Sequence, residues 1–244
     1  MSTFGSDDVA FWLIDGYSVL GVTTQGAIVK EAVAEESHGF GDAWGEHAYV
    51  GLRRVSLSQN GFYDDAANSV NAALVSLMGT ARVLCVGLEG NTLGKAFTGF
   101  AGAMQMAYER VMSRAELHKA NATYQGSGAV EEGKILHIHQ AETGATLNSA
   151  SDNNGGSSAN GASGYLQVSA LTLGGYTSAA LKIQDSPNDS TWLDLITFAA
   201  VTAAPAAERL TVAGTVDQYT RATLAYNGAG ADQTITYMVG VARN

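Results

Sequence analysis

Residues 39–63 read GFGDAWGEHAYVGLRRVSLSQNGFY, and no other stretch of the chain is as informative about the fold. It begins with a glycine-rich loop that carries acidic and aromatic residues. The apolar Val55 and Leu57 then alternate with serines, a period of two that indicates a strand with one buried face. A second turn follows. The stretch predicts a strand between two turns, and it contains no catalytic or phosphate-binding motif.

The same stretch resembles the major tail protein of long-tailed bacteriophages, the subunit that stacks into the tail tube. In that family a loop running into a GD-W-E pattern is followed by GL, by two spaced serines and by GF-D. The resemblance covers residues 1–145 and implies assembly rather than chemistry. The matching positions are Gly41, Asp42, Trp44, Glu46, Gly51, Leu52, Ser56, Ser58, Gly61, Phe62 and Asp64.

The resemblance implies a tail-tube β-sandwich or barrel with one helix packed on its side. Six subunits would form a ring, and stacked rings would conduct DNA without binding it specifically. Other expected partners are tail proteins such as the tape measure, terminator and baseplate. The expected location is the virion tail, assembled in the host cytoplasm. The residues that we expect at the subunit interface are Asp42, Trp44, Glu46, Arg53 and Arg54. The alternatives are that Trp44 folds back on its own subunit and that the two arginines are solvated at the start of a strand.

Composition fits an assembled β protein. Charged residues make up 15% of the chain and hydrophobic ones 46%, so a core can form while much of the surface is poorly solvated in a free monomer. Residues 1–150 carry 9 basic and 16 acidic residues, a net charge of −7, and residues 151–244 carry 4 and 7, a net charge of −3. An acidic chain does not grip nucleic acid, although it can line a channel through which DNA slides. Ordinary solubility explains the same charge.

Other features point away from an extracellular, membrane or cofactor-dependent protein. Cys85 is the only cysteine, and its apolar neighbours predict a buried thiol. We expect no signal peptide, because the first residues form neither a basic nor an apolar region. No apolar run approaches the length of a membrane span. We expect no cofactor and no metal.

Residues 146–163 are small and polar, and we interpret them as a flexible linker between two parts. Before the linker the pattern is mainly β, with strands near 81–88 and around 136–138. One helix is expected over 66–78, begun by Asp64 or Asp65 and ended by Gly79. The segment 104–111 is ambiguous: its propensity favours helix, whereas the resemblance implies strand.

After the linker, residues 164–244 carry six short alternating segments, which predict a small C-terminal β-sandwich. The resemblance implies that this domain decorates the outer wall of the tube. A second interpretation is that it joins the ring as a tube-like domain of its own. Trp192 opens one of the strands and is expected in the sandwich core.

Two other classes of function compete with the tube. The first is a virion decoration or adhesin protein whose C-terminal sandwich binds a glycan, with Tyr176 and Trp192 as stacking residues. The second is a hydrolase that uses Asp42, Glu46 and His47 as acid and base, although no nucleophile motif accompanies them.

Two further motifs suggest binding chemistry but are incomplete. His137 and His139 lie two apart on one strand, a spacing that can chelate a metal, but a site needs a third or fourth ligand. A solvated strand face is the alternative. The segment from Gly90 to Lys95 has only three residues between its glycines, and Ala96 follows the lysine, so it is not a phosphate-binding loop.

Overall fold

The computed structural model describes residues 8–36, 47–66, 70–75, 78–126, 128 and 130–244. Within these residues the chain is mainly β with one short α-helix, α1 (Val70–Val75), which confirms the predicted fold class. The strands are β1 (Phe11–Ile14), β2 (Tyr17–Ser18), β3 (Thr23–Glu36), β4 (His47–Phe62), β5 (Ala81–Gly87), β6 (Ala96–Val111), β7 (Lys119–Gly126), β8 (Val130–Glu142), β9 (Thr146–Asn148), β10 (Asp152–Asn153), β11 (Ala162–Thr172), β12 (Ser178–Ser186), β13 (Leu193–Thr197), β14 (Ala206–Val212), β15 (Tyr219–Asn227) and β16 (Thr234–Arg243).

Eleven strands form one antiparallel sheet, whose main path is β14-β11-β16-β8-β6-β5-β1-β2. The long strand β6 is its branch point. One edge of β6 pairs first with β8 and then with β7, while β5 pairs with the opposite edge. β7 continues the branch by pairing with β4, and β4 pairs with β3. The long β3–β4 hairpin is therefore connected to the rest of the sheet through the pairing of β4 with β7.

The other five strands form a second sheet in the order β10-β15-β12-β13, with β9 beside β15. Its inner face packs against β11, β14 and β16, so the C-terminal strands form a two-layer sandwich. The buried side chains of this core include Leu166, Val168, Leu181, Ile183, Leu224, Ile235 and Val239.

One layer of the C-terminal sandwich is continuous with the N-terminal sheet. β16 pairs with β8 from Ile235–Glu142 to Val241–Lys134. The edge of β8 that faces away from β6 carries backbone groups that need partners, and β16 supplies them. The two parts of the chain therefore share a sheet, which the sequence pattern did not predict.

The stretch 146–163, interpreted from composition as a linker, contains β9, β10 and the first residues of β11. Ser149 donates its N–H to the carbonyl of Ala222 (2.9 Å), and the N–H of Ala222 donates to the Ser149 hydroxyl (2.9 Å). Small polar side chains bury little surface, but their backbone still pairs with a neighbouring strand. The structure thus places short pairing segments where a flexible linker was predicted.

The helix prediction and the ambiguous segment have different outcomes. α1 covers Val70–Val75 of the predicted 66–78, and residues 67–69 and 76–77 lie outside the described residues. Asp64 accepts a hydrogen bond from the N–H of Ala66 (3.0 Å) just before the helix. The segment 104–111 is strand, because its pairing with β7 outweighs its helix propensity.

A small core joins the two parts of the chain. The ring of Phe97 on β6 lies so close to Gly133 and Gly240 that a Cβ at either glycine would meet ring atoms at 2.5 or 2.4 Å. Phe97 also contacts Tyr165 of β11 edge-on, with ring centroids 5.4 Å apart. β6, β8, β11 and β16 therefore meet around one aromatic side chain.

Candidate assembly surface

The four strands β3, β4, β7 and β6, in that order, have an edge on either side that pairs with no other described strand. β3 pairs with β4 alone among the described strands. On the other side, β5 covers β6 only up to Met104, and a bridge from Met78 covers Gln105. Of the strands that the structure describes, only β7 pairs with residues 106–111. Within the part of the chain that the structure describes, the backbone donors and acceptors of both edges are available to another chain.

One face of this four-stranded sheet is polar. Residues that pair directly across antiparallel strands share a face, so the face can be followed from β3 to β6. Its charged members are Glu31, Arg54, Glu109 and Lys119. Two are acidic and two are basic, so their charges sum to zero. Its uncharged polar members, taken from the pairing registers, are Gln25, Ser56, Ser58, Asn60, Asn121, Thr123 and Gln125.

The opposite face of the same strands is core. Leu57 and Tyr124 are buried there. α1 lies over this face, and two contacts from β6 hold it. Gln105 donates to the carbonyl of Leu74 (2.7 Å), and Asn71 accepts a hydrogen bond from Arg110 (2.7 Å). One face of the sheet is therefore covered by α1 and the core, and the polar face is the open one.

Exposed apolar side chains flank both unpaired edges. Val29 on β3 is 43% exposed, and Met106 on β6 is 54% exposed. Val75 and Met78 are also exposed beside the β6 edge. Apolar side chains next to unpaired backbone favour association with another chain over solvation.

A basic cleft of about 600 Å³ lies between the β3–β4 hairpin and the junction of β7 with β8. Lys30, Arg53 and Arg54 line it, together with Glu31 and the apolar Val55. Lys30 forms an exposed ion pair with Glu132. Both arginines are exposed, and neither forms an ion pair with another described residue.

The other predicted interface residues, Asp42, Trp44 and Glu46, lie outside the described residues. The acid–base group that the hydrolase interpretation requires falls largely there too. The structure thus places two of the five interface candidates, and both line the basic cleft.

His137 is buried and His139 is half-buried, so neither lies on a fully solvated strand face, as one interpretation had it. The ring of His137 stacks on Tyr237 with centroids 3.9 Å apart, and its Nε2 lies 3.2 Å from a carboxylate oxygen of Glu142. His139 contacts the Ser169 hydroxyl at 2.8 Å. Burial lowers the pKa of both imidazoles, although Glu142 opposes this at His137. No group of three metal ligands occurs among the described residues.

The cysteine and the glycine-rich loop are structural. Cys85 is fully buried in β5, and burial raises the pKa of its thiol to about 12, so it is unreactive in the folded protein. The loop from Gly90 to Lys95 packs its backbone on β8, where the N–H of Gly94 donates to Ile135 (2.8 Å).

The predicted glycan-stacking pair does not form one platform. Tyr176 precedes β12 and Trp192 follows it, so the nine residues of β12 separate them by about 27 Å. Trp192 is half-buried beneath the guanidinium of Arg221, whose Cζ lies 4.1 Å from the ring centroid. It is not among the buried core residues, which corrects the expectation that it fills the sandwich core. Pairing with Arg221 keeps the ring at the sheet surface.

Sequence reasoning missed an ion pair that joins the two parts of the chain. Glu131 of β8 binds Arg209 of β14 and accepts hydrogen bonds from Ser163 and Tyr165 of β11. Burial alone would raise the pKa of Glu131, but these hydrogen bonds lower it below its ordinary value. No local sequence pattern links residues 78 positions apart.

None of the described helices is both long and apolar enough to cross a membrane.

Comparisons with known proteins give structural neighbours only. No family model and no curated protein matches the chain.

Three of the solved structures that it resembles come from a virion, a tail and a hub adsorption apparatus. A chain from the virion of a native gene transfer agent particle aligns with 53% of this chain and 98% of its own, at 14% identity and a TM-score of 0.42. A chain from the C6-symmetric tail of an empty gene transfer agent particle aligns with 53% of this chain and 97% of its own, at 15% identity and a TM-score of 0.40. The Dit protein of phage SPP1, described as a hub adsorption apparatus, aligns with 95% of this chain and 98% of its own, at 9% identity and a TM-score of 0.37. All three TM-scores lie below 0.5, so these similarities do not assign a function.

Proposed function

We propose that this protein is a structural virion protein whose copies form rings, and that stacked rings form a phage tail tube. The observation that carries the proposal is the four-stranded sheet with an unpaired edge on either side. Edge strands in proteins that remain monomeric are normally short, covered or charged. β3 is fourteen residues long and has no second partner among the described strands.

Strand direction supports closure into a ring. The four strands alternate in direction, so β3 and β6 run in opposite directions. A second copy related by rotation about an axis along the strands brings its β6 beside β3, again antiparallel. Repeating this head-to-tail contact extends one continuous antiparallel barrel, and a rotation that closes gives a ring.

The polar face of the sheet suits the inner wall of such a ring. α1 and the core occupy the other face, so this face alone is open to a lumen. Its balanced charges give DNA phosphates no surplus of cations to bind. The acidity of the chain does not concentrate on the described part of this face, which differs from the acidic lining expected from composition. In this proposal DNA passes because the polar face carries no net charge that would bind its phosphates.

Several finer assignments follow from the family resemblance. The ring would contain six copies, and residues 1–145 would build the tube. Residues 164–244 would lie on its outer wall. Partners would be the tape measure, terminator and baseplate proteins, and the location would be the virion tail, assembled in the host cytoplasm.

The test is assembly of the purified protein with one unpaired edge blocked at a time. Val29→Lys blocks β3 and Met106→Lys blocks β6, because a lysine on an edge strand opposes pairing with another chain. Sedimentation velocity and negative-stain electron microscopy should show hollow rings or tubes for the wild type and a 25.3 kDa monomer for either variant.

The matched control is Thr211→Lys on β14, an exposed position on another edge strand. It should assemble like the wild type. Thermal unfolding of all variants should match, which separates lost assembly from lost folding. Assembly by both edge variants, or a monomeric wild type at every concentration and with seeds of any preformed tube, would contradict the proposal.

A further inference from the structure

The second sheet presents a polar face on the side away from the sandwich core. Core residues of β12 alternate with Lys182 and Gln184, so these two side chains point outward. On β15, Thr223 pairs with Lys182 and Arg221 pairs with Gln184. On β9, Asn148 pairs with Thr223. Side chains that pair across antiparallel strands share a face, so these five polar residues lie together.

A groove of about 330 Å³ crosses β9, β15 and β12 on this face. Its lining includes two cations, Lys182 and Arg221, and none of the described residues that line it is an aspartate or a glutamate. Residues 151–244 carry a net charge of −3. The groove therefore has the opposite sign of charge to the part of the chain that contains it.

The guanidinium of Arg221 is held in a fixed plane. Its Nε and Nη2 both donate to Oε1 of Gln184 (3.0 and 2.8 Å), and its Cζ lies 4.1 Å from the ring centroid of Trp192. Nη1 has no hydrogen-bond partner among the described residues, and Arg221 forms no ion pair with any of them. Burial lowers the pKa of Arg221, and nearby Asp189 opposes this only in part, so the cation lacks a close counter-ion.

The neighbouring side chains are held in the same way by Asp194 of β13. One of its carboxylate oxygens accepts a hydrogen bond from Lys182 (2.6 Å), and the other accepts one from the amide of Gln184 (2.8 Å). An ammonium group has three N–H donors, so two remain on Lys182. Because these side chains are already ordered, a ligand that binds them loses less free energy to their immobilisation.

We infer that this groove binds an acidic saccharide, a sugar unit that carries a carboxylate or a phosphate group. The acidic group binds Nη1 of Arg221 and the ammonium of Lys182, which are diagonal neighbours on the two strands, about 7–8 Å apart at their backbones. The sugar hydroxyls bind the amide of Asn148 and the hydroxyl of Thr223, which both donate and accept hydrogen bonds. The inference goes beyond the proposed function, and binding requires no assembly.

Other classes of ligand fit this groove less well. Nucleic acid binds to a track of many cations, and the groove has two. The centre of a protein–protein interface is apolar and aromatic, whereas this face is polar. The site also differs from the predicted glycan-stacking pair, because Trp192 orients Arg221 and Tyr176 takes no part.

Paired ligands that differ only in charge test the inference. Isothermal titration calorimetry of the full-length protein uses two acidic probes, trigalacturonate and sialyllactose, and the methyl esters of both, in which the carboxylates are neutral. At least one acidic probe should bind with a Kd below about 1 mM. Its methyl ester should bind at least tenfold more weakly, because the ester gives Arg221 and Lys182 no anion to pair with.

Two variants test the residues of the groove. Arg221→Met removes the guanidinium, and Asn148→Asp adds a carboxylate to an exposed position with little change of shape. Each should weaken binding of the acidic probe at least tenfold. The matched control is Arg114→Met, the same substitution at an exposed arginine outside the groove, which should bind like the wild type. Thermal unfolding should match in N148D and the wild type, which separates lost binding from lost folding.

Three results would overturn the inference. They are a Kd above about 1 mM for both acidic probes, equal binding of a probe and its methyl ester, and wild-type affinity in both R221M and N148D. Inorganic phosphate that binds as tightly as the saccharides would show an anion site only and would overturn the role of the hydroxyl contacts. None of these results bears on rings or tubes, so the proposed function stands or fails separately.

Discussion

Glu131 and Glu132 are neighbours in β8, yet their carboxylates bind opposite parts of the molecule. Glu131 binds Arg209 of the C-terminal sandwich. Glu132 binds Lys30 of the β3–β4 hairpin and accepts a hydrogen bond from Thr98 (2.9 Å). Successive strand residues point to opposite faces, so one dipeptide connects the β3–β4 hairpin and the C-terminal sandwich to the same strand.

The two ion pairs should contribute very differently to stability. The side chains of Glu131 and Arg209 are 12% and 20% exposed, whereas those of Glu132 and Lys30 are 54% and 51% exposed. Arg209→Met leaves a shielded carboxylate without its cation and should lower the free energy of unfolding by about 3 kcal/mol. Lys30→Met is the control and should cost less than about 0.5 kcal/mol. Urea denaturation of the monomer measures both, and equal costs would contradict this account.

His137, which is buried, and His139, which is half-buried, should make stability depend on pH. Burial lowers the pKa of His137 and His139 from the ordinary value of 6.5. Below pH 6.5 the unfolded chain therefore binds protons that the folded chain does not, and stability falls as pH falls. Each histidine contributes up to about 1.4 kcal/mol per pH unit within this window.

His137→Phe tests this dependence, since a phenyl ring keeps the stacking on Tyr237 and does not titrate. Urea denaturation between pH 7.5 and 5 should show a shallower loss of stability for the variant than for the wild type. An identical slope in both proteins would show that His137 does not supply it.

Local pattern predicted the elements that depend on local periodicity. The alternation in 53–59 identified β4, and the apolar run around Cys85 identified β5. The predicted helix exists because Val70, Ala73 and Leu74 fall on one buried stripe. In each case the residues that decide the structure are neighbours in sequence.

The sequence did not reveal features that depend on distant pairing. Residues 104–111 have helical propensity but become strand through β7, and the polar stretch 146–163 pairs through its backbone with β15. The shared sheet requires β16 to reach β8, about a hundred residues earlier. At the candidate assembly surface, Arg53 and Arg54 were predicted from their place after the glycine-rich loop, and their role at an interface stays a prediction. The sequence did not identify the unpaired edge of β6, because an edge is defined by the absence of a partner strand.

Gly26 should be intolerant of any side chain. A Cβ at this position in β3 would lie 2.0 Å from the indole of Trp12, which is 3% exposed. Gly26→Ala should lower the free energy of unfolding by about 3 kcal/mol or detach the hairpin from β1. Gly21→Ala is the matched control, because a Cβ there meets nothing within 4 Å. Thermal unfolding and tryptophan fluorescence measure both, and a stable G26A variant with unchanged fluorescence would show that β3 does not pack on Trp12.

Cations added to the polar face of the sheet should make an assembled tube hold DNA. Ser56 and Ser58 lie on that face, which carries as many acidic as basic side chains. The double variant S56R/S58R presents two further cations per copy, repeated around each ring. Each phosphate contact steepens the fall of affinity with salt, by a slope of about −0.9 in log units for duplex DNA. Wild-type tubes and the control Thr211→Arg on β14 should show no such retention in sedimentation with labelled DNA at rising salt. If the double variant S56R/S58R and the control Thr211→Arg retained DNA equally, the polar face would not be the lumen wall.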